Sequence, residues 1–148
     1  MLSVPHALTG AYVASKLPHP LLYIPLAVAF HYLEDWIPHW DVGTGLSKGT
    51  RKRSTAFKLE LIDLTITVGL MYLFWHTEPQ VLQYHIWAGA FAGLVPDFIE
   101  APRNFLKWEP AIFKPFNDVH GKFHFSTPNW VVGLLPQIVV VLMIWFLR

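Results

Sequence analysis

"PLLYIPLAVAFHYLEDWIPHWD", residues 20–41, decides how this chain is read. Its first half carries no charge. Its second half carries five groups that bind metals or move protons: His31, Glu34, Asp35, His39 and Asp41. The apolar run predicts a helix over 20–37, opened by Pro20 and kinked at Pro25. Ionisable groups at the end of such a helix are costly in hydrocarbon unless they are paired, ligated or at the interface. The stretch therefore reads as a helix that enters a membrane and ends in a functional cluster at its surface.

The rest of the chain agrees. Of 148 residues, 53% are hydrophobic and 14% charged, against a usual ~25% charged. Mean hydropathy is +0.37. The formal charge of +1 argues against a nucleic-acid partner, which calls for a clearly basic chain. There is no cysteine, so any metal must be held by His, Asp and Glu. The expected fold is all-α: one domain, 1–148, forming an integral membrane bundle of about five helices. Helices are expected at 3–17, 20–37, 59–76, 81–99 and 129–147, with an interfacial segment over 101–128 before the last span. Ser3 is expected to cap the first helix. Oligomeric state is left open.

Topology follows from charge. The third and fourth segments are joined by "TEPQ", 77–80, and should run antiparallel as a hairpin. Loops 43–58 and 101–128 then share one side, and they hold nine of the eleven Lys and Arg. The positive-inside rule places both in the cytoplasm of a bacterial or archaeal cell, with 77–80 outside. His6, His31, His39, His120 and His124, five of the eight His, fall at the cytoplasmic level with Asp35, Asp41, Asp97 and Glu100. His19, His76 and His85 fall at the other end.

His31 and Asp35 are four apart and share a helix face, which suits two adjacent ligands of one metal. His120 and His124 have the same spacing and would suit one metal if helical. Asp97 ends an apolar run and is expected at the most enclosed position. His39 is expected on a solvent-facing rim, approaching Asp97. Asp41 reads as a loop cap, and Glu60 and Asp63 as groups snorkelling to the interface. Sulfur-free donors of this kind match zinc, manganese or iron, as one ion or two. Such a site activates water for hydrolysis. Glu100 is the expected general base, and His6, His31, Asp35, His39, Asp97, His120 and His124 the expected ligands. The expected partner is membrane lipid, and the expected substrate an ester or phosphoester, a lipid one included. A non-catalytic scaffold with a polar plug is the alternative, and an ion or metal transporter a weaker one.

Four stretches resemble motifs of the membrane-bound metal-dependent hydrolase family, bacterial inner-membrane proteins that include an SOS-regulated member. "PHALTGAYVA", 5–14, resembles the N-terminal motif with its early His, here His6. "LVPDFIE", 94–100, is similar to a Leu-Pro-Asp motif and carries Asp97. "FHYLEDWIPHWD", 30–41, resembles an S-H-x-x-x-D helix and carries His31 and Asp35. "HGKFHFS", 120–126, resembles a His-rich loop and carries His120 and His124. The resemblance implies a membrane-embedded hydrolase, distantly similar in plan to the all-helical zinc-dependent phospholipase C. Here the His-x-x-x-Asp helix comes second, where the family has it late.

Overall fold

The computed structural model describes residues 1–76 and 81–148. The expected connection at 77–80, and its placement outside the membrane, lie outside the described residues. Among the described residues six α-helices form: α1 Ser3–Lys16, α2 Pro20–Asp35, α3 Arg53–Trp75, α4 Tyr84–Ala101, α5 Lys114–Phe123 and α6 Trp130–Leu147, with a π-helical turn at Pro102–Leu106 after α4. Among the described residues there is no strand, only one isolated parallel bridge between His39 and Ser126.

Several boundaries move. α2 stops at Asp35, short of residue 37, because the chain must leave the α region ahead of Pro38. α3 starts at Arg53, inside the expected polar loop. Hydropathy marked only the apolar part of that helix, while "RSTAFK", 53–58, is polar but helix-compatible. The expected interfacial segment contains the π-helical turn and α5.

α1 is the centre of the bundle. Ten of its residues are buried, and α2, α3, α4 and α6 all pack on it. Its small residues explain this. A Cβ on Gly10 would run into the carbonyl of Gly89, and one on Gly93 into the carbonyl of His6, so α1 and α4 approach at backbone distance. Around that contact Ala7, Leu8 and Ala11 meet Met71 and Phe74 of α3, Ile86, Ala90 and Leu94 of α4, and Ile144 of α6. α3 and α4 run antiparallel as expected, but they do not share a packed face. Tyr72 of α3 meets Trp87 of α4, Phe57 of α3 meets Phe105 of the π-helical turn beyond α4, and both helices lean on α1.

Ser3 is not the cap of α1. Leu2 holds that position with no side-chain bond. α3 supplies the acceptors instead: the Ser3 N–H donates to Asp63 Oδ2 at 2.6 Å, and the Ser3 hydroxyl to Glu60 Oε1 at 2.9 Å. Glu60 and Asp63 therefore do not snorkel. They satisfy the first turn of a buried helix.

Among the described residues one helix, Trp130–Leu147, is long and apolar enough to cross a membrane. α2 has 16 residues, about 24 Å of helix. Apolar side chains nevertheless cover much of the outer surface, and polar ones are buried beside the apolar core. Leu21, Leu22, Ile24, Phe30 and Leu33 of α2, Ile62 and Ile66 of α3, and Val131, Leu135 and Ile138 of α6 face outward, whereas His6, His31, Asp35, Asp63 and Gln137 are buried.

Candidate metal centre

The polar interior gathers at one end of the bundle, and each element delivers its donor differently. His31 and Asp35 lie one turn apart at the end of α2, inside the wall formed by α1 and α4. Asp97 comes from the last turns of α4, and His120 from the inner face of α5. After α2 the chain runs extended and lies beside 124–127. The Phe125 N–H donates to Asp35 O at 3.0 Å, the His39 N–H to Phe125 O at 3.1 Å, and the Thr127 N–H to His39 O at 2.7 Å. This pairing sets His39 against His124. α6 holds the same stretch from behind, through Trp40 N–H to Gly133 O at 3.1 Å and Gln137 Nε2 to Trp40 O at 2.7 Å.

Two donor sets result. In the first, His31, Asp35, Asp97 and His120 each present one atom to a common point. His31 Nε2 is 3.3 Å from His120 Nε2, 3.3 Å from Asp35 Oδ2 and 3.8 Å from Asp97 Oδ1. His120 Nε2 is 2.8 Å from Asp35 Oδ2 and 3.7 Å from Asp97 Oδ1. In the second, Asp35, His39 and His124 converge. His39 Nε2 is 3.2 Å from His124 Nε2 and 3.6 Å from Asp35 Oδ1. Asp41 Oδ2 completes this set, 3.4 Å from His39 Nε2 and 3.3 Å from His124 Nε2. Asp35 thus belongs to both, with one oxygen turned to each.

These spacings fit metal ions. Donors about 2.0 Å from a tetrahedral zinc lie about 3.3 Å from one another. Asp41 Oδ2 is buried with no hydrogen-bond partner, an orphan that a cation would satisfy. The outer partners point the same way. His31 Nδ1 donates to Gly93 O and His39 Nδ1 to Ile37 O, each at 2.8 Å, and His6 Nδ1 to Glu34 Oε2 at 2.7 Å. Glu34 is held in turn by the Thr9 hydroxyl. A proton fixed on Nδ1 leaves the Nε2 lone pair facing inward, the arrangement that metal-ligating histidines use. Two Nε2 lone pairs facing each other need a proton or a metal cation between them.

Charge supports this. Burial disfavours the Asp41 carboxylate, but contacts from His124 and His39 hold its pKa well below the usual range. Burial likewise opposes a proton on His120, yet Asp35 and Glu100 outweigh it and raise the pKa to about 10. His124 is raised by Asp41 and Asp35 against its own burial. His39 is lowered, chiefly by burial. A metal ion would displace the His120 proton and take over its charge.

The expected residues fall into place unevenly. His31, Asp35, Asp97 and His120 come together. His39 and His124 join Asp35. His6 stacks on His31 with ring centres 3.9 Å apart, and its Nε2 is 3.1 Å from Asp35 Oδ1. The Met1 amino nitrogen also contacts Asp35 and His6. Glu100 stands behind His120, its Oε2 3.3 Å from Nδ1 outside hydrogen-bond geometry and its Oε1 paired with Arg103. Three expectations change. His120 and His124 serve different sets, because α5 ends at Phe123 and His124 is already extended. Asp97 is not the most enclosed carboxylate: its side chain is 28% exposed, against 0% for Asp35. His39 is not on a rim but fully buried, beside Asp35 and not Asp97. Asp41 is the donor that sequence reasoning passed over as a loop cap. The signal was present: His39 and Asp41 are two apart, and in extended chain alternate residues face the same side.

Set against known protein families, curated proteins and solved structures, the chain matches none.

Proposed function

We propose that this protein is a membrane-embedded, metal-dependent hydrolase of an ester or phosphoester, with its centre at the cytoplasmic surface. The observation that carries the proposal is the pair of donor sets sharing Asp35. Two divalent cations, zinc or else manganese or iron, would supply a water activated at neutral pH and an electrophile for the substrate oxygen. The protein's part is to hold and orient. His31, His120, Asp97 and Asp35 form one side, and His39, His124, Asp41 and Asp35 the other. His6 and Glu34 brace Asp35. Glu100, engaged by Arg103 behind His120, supplies a counter-charge there and is not free to act as a base. Asp97 combines a place in the first set with an exposed face, so it is the carboxylate placed to accept a proton from attacking water.

A cavity of about 640 Å³ opens at this point, lined by Asp41, Asp97, Glu100, Arg103 and His124 among others, within the range that encloses a small ligand. Membrane embedding is supported by the outward apolar faces of α2, α3 and α6 and by α6 itself. The cytoplasmic side is supported by the Lys and Arg of the loops at the donor end. The motif resemblance points to the same class of activity.

A second possibility, a non-catalytic subunit with a polar plug, draws on the contacts the buried donors make with one another, His120 Nε2 to Asp35 Oδ2 at 2.8 Å among them, which need no metal. Elemental analysis of the protein purified in mild detergent separates the two. One to two equivalents of a transition metal, with ester or phosphodiester turnover that a chelator abolishes, are expected of the hydrolase. Metal-free protein that cannot be reloaded would overturn it.

A further inference from the structure

The cavity beside the donors has a second wall. Phe57, Leu61 and Leu64 of α3 line it, facing Phe98 of α4 and Phe105 of the π-helical turn. Phe57, Leu61 and Leu64 are four and three residues apart, one stripe of a helix. The cleft is open: Phe57 and Leu61 of the stripe are 48% and 49% exposed and Phe98 across from them 38%, while Leu64 is partly buried against the core. The cleft exists because α3 and α4 are held apart by α1. It is closed at the donor end, where Phe57 meets Phe105 with ring centres 5.5 Å apart and Arg53 donates to the carbonyls of Arg103 and Asn104. At the far end Tyr72 packs on Trp87, which donates to His76 at 3.0 Å.

We propose that this cleft is an acyl-chain site, and that the molecule it takes is a membrane lipid ester whose polar end reaches Asp97 and His124 while one hydrocarbon chain lies along Phe57, Leu61 and Leu64. The ester end rests on the hydrolase proposal; the chain site does not. Three features select this occupant. Polar and apolar groups line the cavity together: Asp41, Asp97 and His124, with Arg53 and Glu60 of α3, stand beside Phe57, Leu61 and Leu64, a mixed lining that suits an amphiphile. Every backbone group on the α3 wall lies inside a helix, so the wall offers no open edge to an extended peptide. The stripe is also continuous with Ile62 and Ile66 on the exposed flank of α3, so a chain can pass sideways from a bilayer without crossing water.

The test uses the full chain in lipid nanodiscs containing a phospholipid with a photoreactive diazirine at the end of one acyl chain. After irradiation, labelled peptides are mapped by mass spectrometry. Label is expected on Phe57, Leu61 or Leu64 and on Phe98 or Phe105, over and above any on the outward Ile62 and Ile66. Leu61→Trp, which fills the cleft, should reduce that label several-fold while the melting temperature, the check on folding, stays at the wild-type level. Label in the cleft without turnover of any ester would support the chain site and remove the hydrolase. Turnover with label confined to the outward faces of α2 and α6 would overturn the chain site and leave the hydrolase standing.

Discussion

His31, Asp35, Asp97 and His120 are presented by three helices, whereas His39, Asp41 and His124 stand on two extended stretches that lie side by side. The first set inherits its geometry from helical spacing: two donors come from one turn of α2, and α4 and α5 each add one. The second depends on a register between segments some eighty residues apart, set by a few backbone hydrogen bonds and by the grip of α6 on Trp40. The two also differ in access. Asp97 and His124 are the open members, with side chains 28% and 26% exposed, while Asp35 is wholly buried between them. The comparison teaches that a shared carboxylate can tie a locally encoded site to one that only the complete fold creates.

Asp35→Ala should have the largest effect, because it removes the group common to both sets. Metal affinity at both positions is expected to fall by more than the ~100-fold that loss of an outer partner brings. Loss of only one equivalent by elemental analysis would show that Asp35 does not bridge. Single-set changes come next. His31→Ala and His39→Ala should each remove one equivalent and spare the other, so bound metal falls from two to one in either variant. Equal loss of both ions in the two variants would mean that the sets are not separable.

Gly133→Ala addresses the extended set alone. A Cβ there would strike the backbone nitrogen of Trp40, and overpacking of this kind costs about 1–3 kcal/mol. The expected result is a lower melting temperature together with loss of the ion held by His39, Asp41 and His124. Retention of both ions would show that α6 does not position that stretch.

A further effect is one of pH. In metal-free protein His120 has a pKa raised to about 10 by Asp35 and Glu100 against burial, from about 6.5 when unfolded. A raised folded pKa contributes stability that is fully present below about 6.5 and lost as pH rises through about 10. The melting temperature of metal-free protein should therefore decline across that window. A bound ion takes the His120 lone pair, so metal-loaded protein should lack this decline, and metal affinity should rise with pH as the competing proton leaves. Identical pH profiles with and without metal would place His120 outside the site.

Much of the fold was legible because its signals are local. Apolar runs marked α2, α4 and α6 to within a few residues, Pro38 ended α2, and the short spacing between the third and fourth apolar segments set which of their ends lie together. Helical spacing picked out His31 with Asp35. The central place of α1 was not legible, since its small and polar residues, interspersed with Val4, Leu8 and Val13, give it no distinctive apolar run whether it is buried or not. Its burial depends on Gly10 and Gly93 letting α4 approach at backbone distance. Asp63 and Glu60 were misread for a related reason: their partners are the free amide and hydroxyl of Ser3, on a helix far away in the chain.

The sequence by itself determined the helical class, the absence of thiolate chemistry and the gathering of histidines and carboxylates at one end of the bundle, because composition, periodicity and charge act over a few residues. The tertiary structure decided how those donors divide. It placed His120 and His124 in different sets, brought Asp41 in from the turn, set Glu100 behind His120, and opened a cleft beside Asp97 by holding α3 away from α4. Each outcome depends on which surfaces pack across the chain, and packing is a property of the assembled backbone that no single stretch of residues carries.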